Sequence, residues 1–142
     1  MASTTGRERA KADRHSALLA EAARLFAERG FTGVSLEDLG AAVGVSGPAI
    51  YRHFANKQAL LGAILIGVSE RLRDGGRSVI EQSDDAAERL RRLVAFHVDF
   101  ALTDADVIRV HDRDLASLSE EDRQIGRASC REECRSRWSP YH

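Results

Sequence analysis

Between Ser35 and Lys57 the sequence gathers hydrogen-bond donors and cations around residues of little bulk. Ser35 and Ser46 supply hydroxyls, Tyr51 a phenol, Arg52 a guanidinium, His53 an imidazole and Lys57 an ammonium, while Gly47, Pro48 and Ala49 leave room between them. Such groups suit an anionic ligand that presents base edges. Hydroxyl, phenol and ammonium groups reach phosphate oxygens, and a guanidinium matches the two acceptors of guanine. Catalytic signatures are missing from the same sequence: it holds no Walker loop, GxSxG elbow, HExxH or GxGxxG, so no enzyme is expected.

These side chains need elements to hold them, and the capping signals say where those elements begin. Ser35 with Asp38 three residues on has capping-box spacing, and Val34 with Leu39 has that of a hydrophobic staple. Leu36, Leu39 and Val43 give the helix that follows one apolar face, and Gly44 ends it. Ser46 repeats the capping signal, Val45 and Ile50 repeat the staple, and Pro48 sits in the first turn, where a missing N–H costs nothing. Two short capped helices joined at Gly44-Val45 predict a helix-turn-helix, locked by Leu39, Val43, Val45, Ile50 and Phe54. The second helix of such a pair enters the major groove of double-stranded DNA. Small Gly47 and Ala49 permit close approach of backbone to duplex. Tyr51 then meets phosphate or a thymine methyl, and Lys57 lies near the amide-rich start of the next helix.

Flanking elements follow from apolar periodicity. Leu18, Ala22, Leu25 and Phe26 predict a helix over 13–29, stopped by Gly30. Asn56 caps a fourth helix that runs through Leu60, Leu61, Ile64, Leu65, Val68 and Leu72 to Gly75-Gly76. A fifth helix, from Asp84 or Asp85 to about Leu102, has Leu90, Leu93, Val94, His97 and Val98 along one face. The sixth, from Asp104 to about Leu118, has Val107, Ile108, His111 and Leu115. Ser119 to Asp122 reads as the capped start of a seventh. His97 and His111 are open to two readings, packed core histidines or ligands of a small-molecule pocket; a metal is not expected.

At these residues the chain resembles the TetR family of bacterial transcriptional regulators. The run LFAERGFTGVSLEDLGAAVGVSGPAIYRHFANKQALLGAIL, Leu25 to Leu65, carries the resemblance, which extends with less specificity to about Arg123. It implies an all-α fold: a three-helix DNA-binding head, a linking fourth helix and a larger helical domain that binds a small-molecule effector. It also implies a homodimer that occupies operator DNA and releases it when the effector shifts the spacing of the two heads. By position, Ser35 matches a phosphate-contacting cap, Gly47, Pro48, Ala49, Tyr51, Arg52 and His53 the recognition helix, and Lys57 a phosphate-contacting lysine. Arg7, Arg9 and Lys11 match a flexible arm that some relatives have, with a plain polar tail as the alternative.

Composition fits that picture. The 142 residues are 43% hydrophobic and 30% charged, and the two cysteines, Cys130 and Cys134, lie too near the end to staple the main body. No apolar stretch is long enough for a membrane span and no signal peptide is visible, so a cytoplasmic protein without cofactor is expected. The net charge of −1 conceals an uneven distribution: residues 1–62 carry 8 Lys+Arg against 6 Asp+Glu, whereas residues 63–122 carry 8 against 14. After Arg123 apolar periodicity stops, and GRASCREECRSRWSPYH resembles translated sequencing-adapter DNA. The expected division is therefore 1–55 as the head with its N-terminal arm, 56–123 as linking helix and truncated ligand-binding domain, and 124–142 as a non-native tail. Such a chain is expected to leave an apolar face open and to dimerise poorly. A helical ligand-binding or heterodimerising fragment without operator binding of its own is the alternative function.

Overall fold

The computed structural model describes residues 2–125, and every regular element among them is helical. The long helix α1, Ala2–Arg29, leads into two short helices, α2, Leu36–Val43, and α3, Gly47–Tyr51. They are followed by α4, Lys57–Glu81, α5, Ala86–Thr103, and α6, Ala105–Asp114. A 3-10 turn, Leu115–Ser117, then leads to a helical segment at 120–125. Of the 124–142 segment only its first two residues are described; Cys130 and Cys134 lie outside the described residues.

The core sits where α1 meets α2, α4 and α6. Leu18, Ala22, Leu25 and Phe26 of α1 fall on one face at helical spacing and are almost fully buried. Val34, Leu36 and Leu39, Ile50 and Phe54, and Leu60, Leu61, Ile64 and Leu65 close over them, with Val107, Val110 and Leu118 sealing the far side. Each large side chain so buried contributes about 1.5–3 kcal/mol. The head is thereby fixed to the start of α4 as one packed unit.

Several helix limits differ from the expectation, each for a local reason. First, α1 starts at Ala2 instead of residue 13, so Arg7, Arg9 and Lys11 ride on a helix and are not a flexible arm. The alanines, arginines, lysine and glutamate of that stretch are strong helix formers. Gly75 and Gly76 do not end α4, which runs on to Glu81, because they serve as the contact with α5. A Cβ on Gly75 would sit 2.4 Å from the Phe96 ring, and one on Gly76 would sit 3.6 Å from Leu93. On α6 the inward set is Val107, Val110 and Asp114, while His111 and Leu115 are exposed.

That rotation of α6 has a polar cause. The Arg113 guanidinium reaches the C-terminal end of α1, donating to the carbonyls of Phe26 and, at 3.3 Å, Ala27. Asp114, 7% exposed, holds the guanidinium from the other side at 3.0 Å. Arg113 thus adds cationic donors to last-turn carbonyls of α1, the Phe26 carbonyl also accepting from the Gly30 amide at 2.8 Å, and ties α6 to the head.

Candidate nucleic-acid interface

The helix-turn-helix forms as its capping signals predict, with one exception. Ser35 Oγ accepts from the Asp38 amide at 3.0 Å, and Asp38 Oδ2 accepts from the Ser35 amide at 2.9 Å, closing the capping box. The Ser35 backbone N–H, and then its side chain, hold the Asp38 carboxyl below its ordinary 3.8. Val34 and Leu39 are both buried, as a staple requires. Gly44 takes φ 71°, the left-handed conformation that glycine adopts without strain, and turns the chain toward α3.

Ser46 occupies the N-cap position of α3 but its side chain makes no capping bond. Pro48 has no N–H to give, and the Ala49 amide already donates to the Ser46 carbonyl at 2.9 Å. The second staple is likewise lopsided, since Ile50 is fully buried while Val45 is 36% exposed. What locks the two helices is Gly40, a residue whose role only the packing reveals. A Cβ there would meet the Val45 carbonyl oxygen at 2.8 Å and Ile50 Cδ1 at 3.4 Å. Its absence lets α3 lie directly on α2.

With Ile50 and Phe54 turned inward, the remaining groups of this segment face solvent. Ser35, Ser46, Pro48, Tyr51, Arg52 and His53 are exposed, and Gly47 and Ala49 are half-buried beside them. Only Gly47 to Tyr51 form the helix itself. Arg52 is its C-cap residue and His53 follows it, with the His53 amide donating to the Ile50 carbonyl at 2.9 Å. Tyr51 Oη donates to Glu37 Oε1 of α2 at 3.4 Å. Asn56 caps α4 by accepting from the Ala59 amide at 2.8 Å, and Lys57 opens that helix with its ammonium 4.5 Å from the Phe31 ring centroid. Tyr51 thus reaches back to α2, and Lys57 lies over Phe31 in the connection before α2.

His15 of α1 comes beside Phe54 and His53, and nothing in the local sequence announces it. Its ring stacks on Phe54 at 5.3 Å and lies 6.1 Å from that of His53. Arg7, Lys11 and Arg14 fall at helical spacing along α1 before it, all exposed.

The two histidines expected near an effector are exposed on different helices. His97 is exposed on α5 beside a shallow groove shared with Leu93, Val94, Val98 and Ala101, and its Nδ1 donates to the Leu93 carbonyl at 3.2 Å. His111 is exposed on α6, 3.3 Å from the Asp112 carboxylate. A different cavity, of about 400 Å³, opens where Leu19 and Ala23 of α1, Ala63 and Gly67 of α4, and Asp104 and Val107 at the α5–α6 corner meet. Arg71 at its rim pairs with Asp104 at 2.9 Å and lies over the Phe100 ring. Among the described residues no cluster of three metal-ligating side chains occurs, and no helix is long and apolar enough to cross a membrane.

Known proteins share this arrangement. Residues 18–64 match the family model for bacterial regulatory proteins of the tetR family. Residues 83–139 match that for the tetracyclin repressor-like C-terminal domain, a range that enters the 124–142 segment. The HTH-type transcriptional activator FasR of Mycolicibacterium smegmatis is 31% identical over 98 residues, 69% of this chain and 45% of that protein. The HTH-type transcriptional repressor KstR2 of Rhodococcus jostii is 26% identical over 128 residues, 90% of this chain and 63% of that one. The crystal structure of PfmR from Thermus thermophilus superposes with a TM-score of 0.72 at 32% identity, over 78% of this chain and 60% of that one. AibR, solved with isovaleryl coenzyme A and operator DNA, superposes with a TM-score of 0.69 at 27% identity, over 84% and 65%. The chain spans about half the length of the curated relatives it matches. Fold, capped helix-turn-helix and both family matches agree: the chain belongs to the TetR family of bacterial regulatory proteins.

Proposed function

We propose that this protein is a sequence-specific, DNA-binding transcriptional regulator, a repressor that a small-molecule effector releases from its operator. The observation that carries the reading is the edge of the head. A short helix stands exposed beyond a buried Ile50, flanked by a capped α2 and by Lys57 at the start of α4. Ser35 stands exposed at the N-terminus of α2, where a hydroxyl meets a phosphate oxygen. Lys57 and the exposed α1 cations add charge for the backbone, and Tyr51 and Arg52 reach the groove, Arg52 toward guanine. A single head covers one half-site; two half-sites ~34–36 Å apart call for a two-fold dimer. Homodimerisation therefore belongs to the same proposal.

Effector control rests on the junction. The cavity between α1, α4 and the α5–α6 corner borders the helices that Arg113 ties together, so an occupant there would bear directly on the head. AibR, a structural neighbour, was solved with both an acyl coenzyme A and operator DNA, which supports a regulator of this kind here. KstR2 is named a repressor and FasR an activator; a promoter–reporter fusion with and without the protein decides the sign of regulation.

The test is binding of the 142-residue chain to randomised duplexes across a salt series. Enrichment of a defined motif, with affinity falling steeply as salt rises, is the expected outcome. Lys57→Ala should weaken binding evenly over sequences and reduce the salt slope by about 1. No protection of any duplex at any salt concentration would favour the ligand-binding or heterodimerising fragment instead.

A further inference from the structure

We propose that Glu37 is a base-reading residue that selects cytosine in the major groove; this rests on the DNA-binding reading above. Two carboxylates, Glu37 and Asp38, lie in the first turn of α2, and their situations differ. Asp38 is engaged by the cap, with Oδ2 accepting from the Ser35 amide. Glu37 is exposed, and among the described ion pairs it has no cationic partner. Its contacts lead to the reading helix instead. Oε1 accepts from the Tyr51 phenol at 3.4 Å, and Cγ lies 3.8 Å from where a Cβ on Gly47 would be. The side chain therefore lies against the first turn of α3, beside Gly47, and reaches Tyr51.

An acid at this place is repelled by every phosphate, whatever the sequence, so it adds nothing to affinity for DNA in general. A carboxylate accepts hydrogen bonds and gives none. Cytosine presents an N4 amine to the major groove, whereas guanine presents N7 and O6 and thymine presents O4, all acceptors. Adenine offers its N6 amine beside the N7 acceptor, whose lone pair repels the carboxylate charge whichever oxygen accepts. With Oε1 held by Tyr51, Oε2 is left to accept, and cytosine is the base that does not oppose it. Uniform repulsion plus one matched acceptor gives discrimination.

The test is motif selection from randomised duplexes with the full chain and with Glu37→Gln and Glu37→Ala, each first checked for native helicity. Wild type should select cytosine at one half-site position by ~10-fold or more over the other bases, about 1.4 kcal/mol. Glu37→Gln, which both donates and accepts, should move the preference at that position alone to adenine. Glu37→Ala should leave it degenerate while raising affinity for unrelated duplex. An unchanged motif in both variants would overturn the role of Glu37 and leave operator binding standing. No enriched motif with any of the three proteins would overturn both.

Discussion

The head and α5 carry similar amphipathic patterns and end in opposite conditions. Leu18, Leu25, Phe26, Leu39 and Ile50 of the head are all at most 4% exposed. On α5, Leu90 is 64% exposed, Val94 55%, Val98 53% and Leu102 79%, and no residue of that helix is buried. The spacing of apolar residues along a helix states which face favours burial, not which surface covers it. In the head the apolar faces of α1, α2 and α3 cover one another and the start of α4. On α5 the side that carries Leu93, Phe96 and Phe100 meets partners, at Gly75 and Gly76 of α4 and at the margin of the core. The head should therefore respond to substitution as a packed core does and α5 as a surface does.

The sharpest way to break the contrast is Ile50→Ala. It removes a fully buried side chain that α2 and α3 share, and about 2–5 kcal/mol of stability should go with it. Denaturant unfolding gives the loss, and operator binding should fall in parallel. A cost below about 1 kcal/mol would mean that the head is looser than its packing implies.

Glycine-to-alanine exchanges make the comparison with one chemistry at two places. At Gly40 the new methyl meets the Val45 carbonyl, part of the backbone, so strain should outweigh the helix-propensity gain. A net loss of about 1–2 kcal/mol is expected. At Gly75 the methyl meets the far end of the half-buried Phe96 ring, which can swing toward solvent. There the two effects should cancel to within about 0.5 kcal/mol. Equal effects in thermal unfolding would erase the distinction between the regions.

The same contrast explains what could be read from the sequence. Capping is local chemistry over three or four residues, so Ser35 with Asp38, Asn56, Asp85 and the Ser119–Asp122 start all stand where their types predict. Gly30 and Gly44 end their helices, since both take positive φ. Gly75 looks the same in sequence, but its reason is Phe96, on another helix. His15 comes beside His53 through a tertiary contact with Phe54 that no spacing encodes. The inward face of α6 was hidden because Asp114 is a charged residue at a core position, made tolerable by Arg113. The helix-turn-helix was legible because it is built from consecutive residues, with the cap of α2 and the turn at Gly44 where their types predict. The cavity was not, because its walls come from α1, α4 and the α5–α6 corner.

Ser35→Ala probes the head at its surface. Loss of the cap should cost about 1 kcal/mol and weaken DNA binding by more than the stability change alone explains. The pH dependence carries its own sign. Asp38 is held below 3.8 in the folded protein, so its contribution is present above that value and lost as pH falls through the lower folded one. Asp38→Asn should flatten the acid side of the stability curve, and Ser35→Ala should flatten it in part, because the Ser35 amide remains. Identical acid slopes in the three proteins would show that the box contributes nothing to the pH response.

Leu102→Gln should have the smallest effect and bears most directly on α5. Leu102 is 79% exposed near the end of the helix, next to Ala101 at the end of the shallow groove. A polar side chain there leaves no cavity and strands no buried donor, so unfolding should change by less than about 0.5 kcal/mol. Removing apolar surface should also lower any tendency of the protein to self-associate, read by sedimentation at rising concentration. A loss of about 2 kcal/mol or more would require Leu102 to be buried in solution. The open face of α5 would then be a covered one, and the contrast with the head would reduce to a difference in which chain supplies the cover.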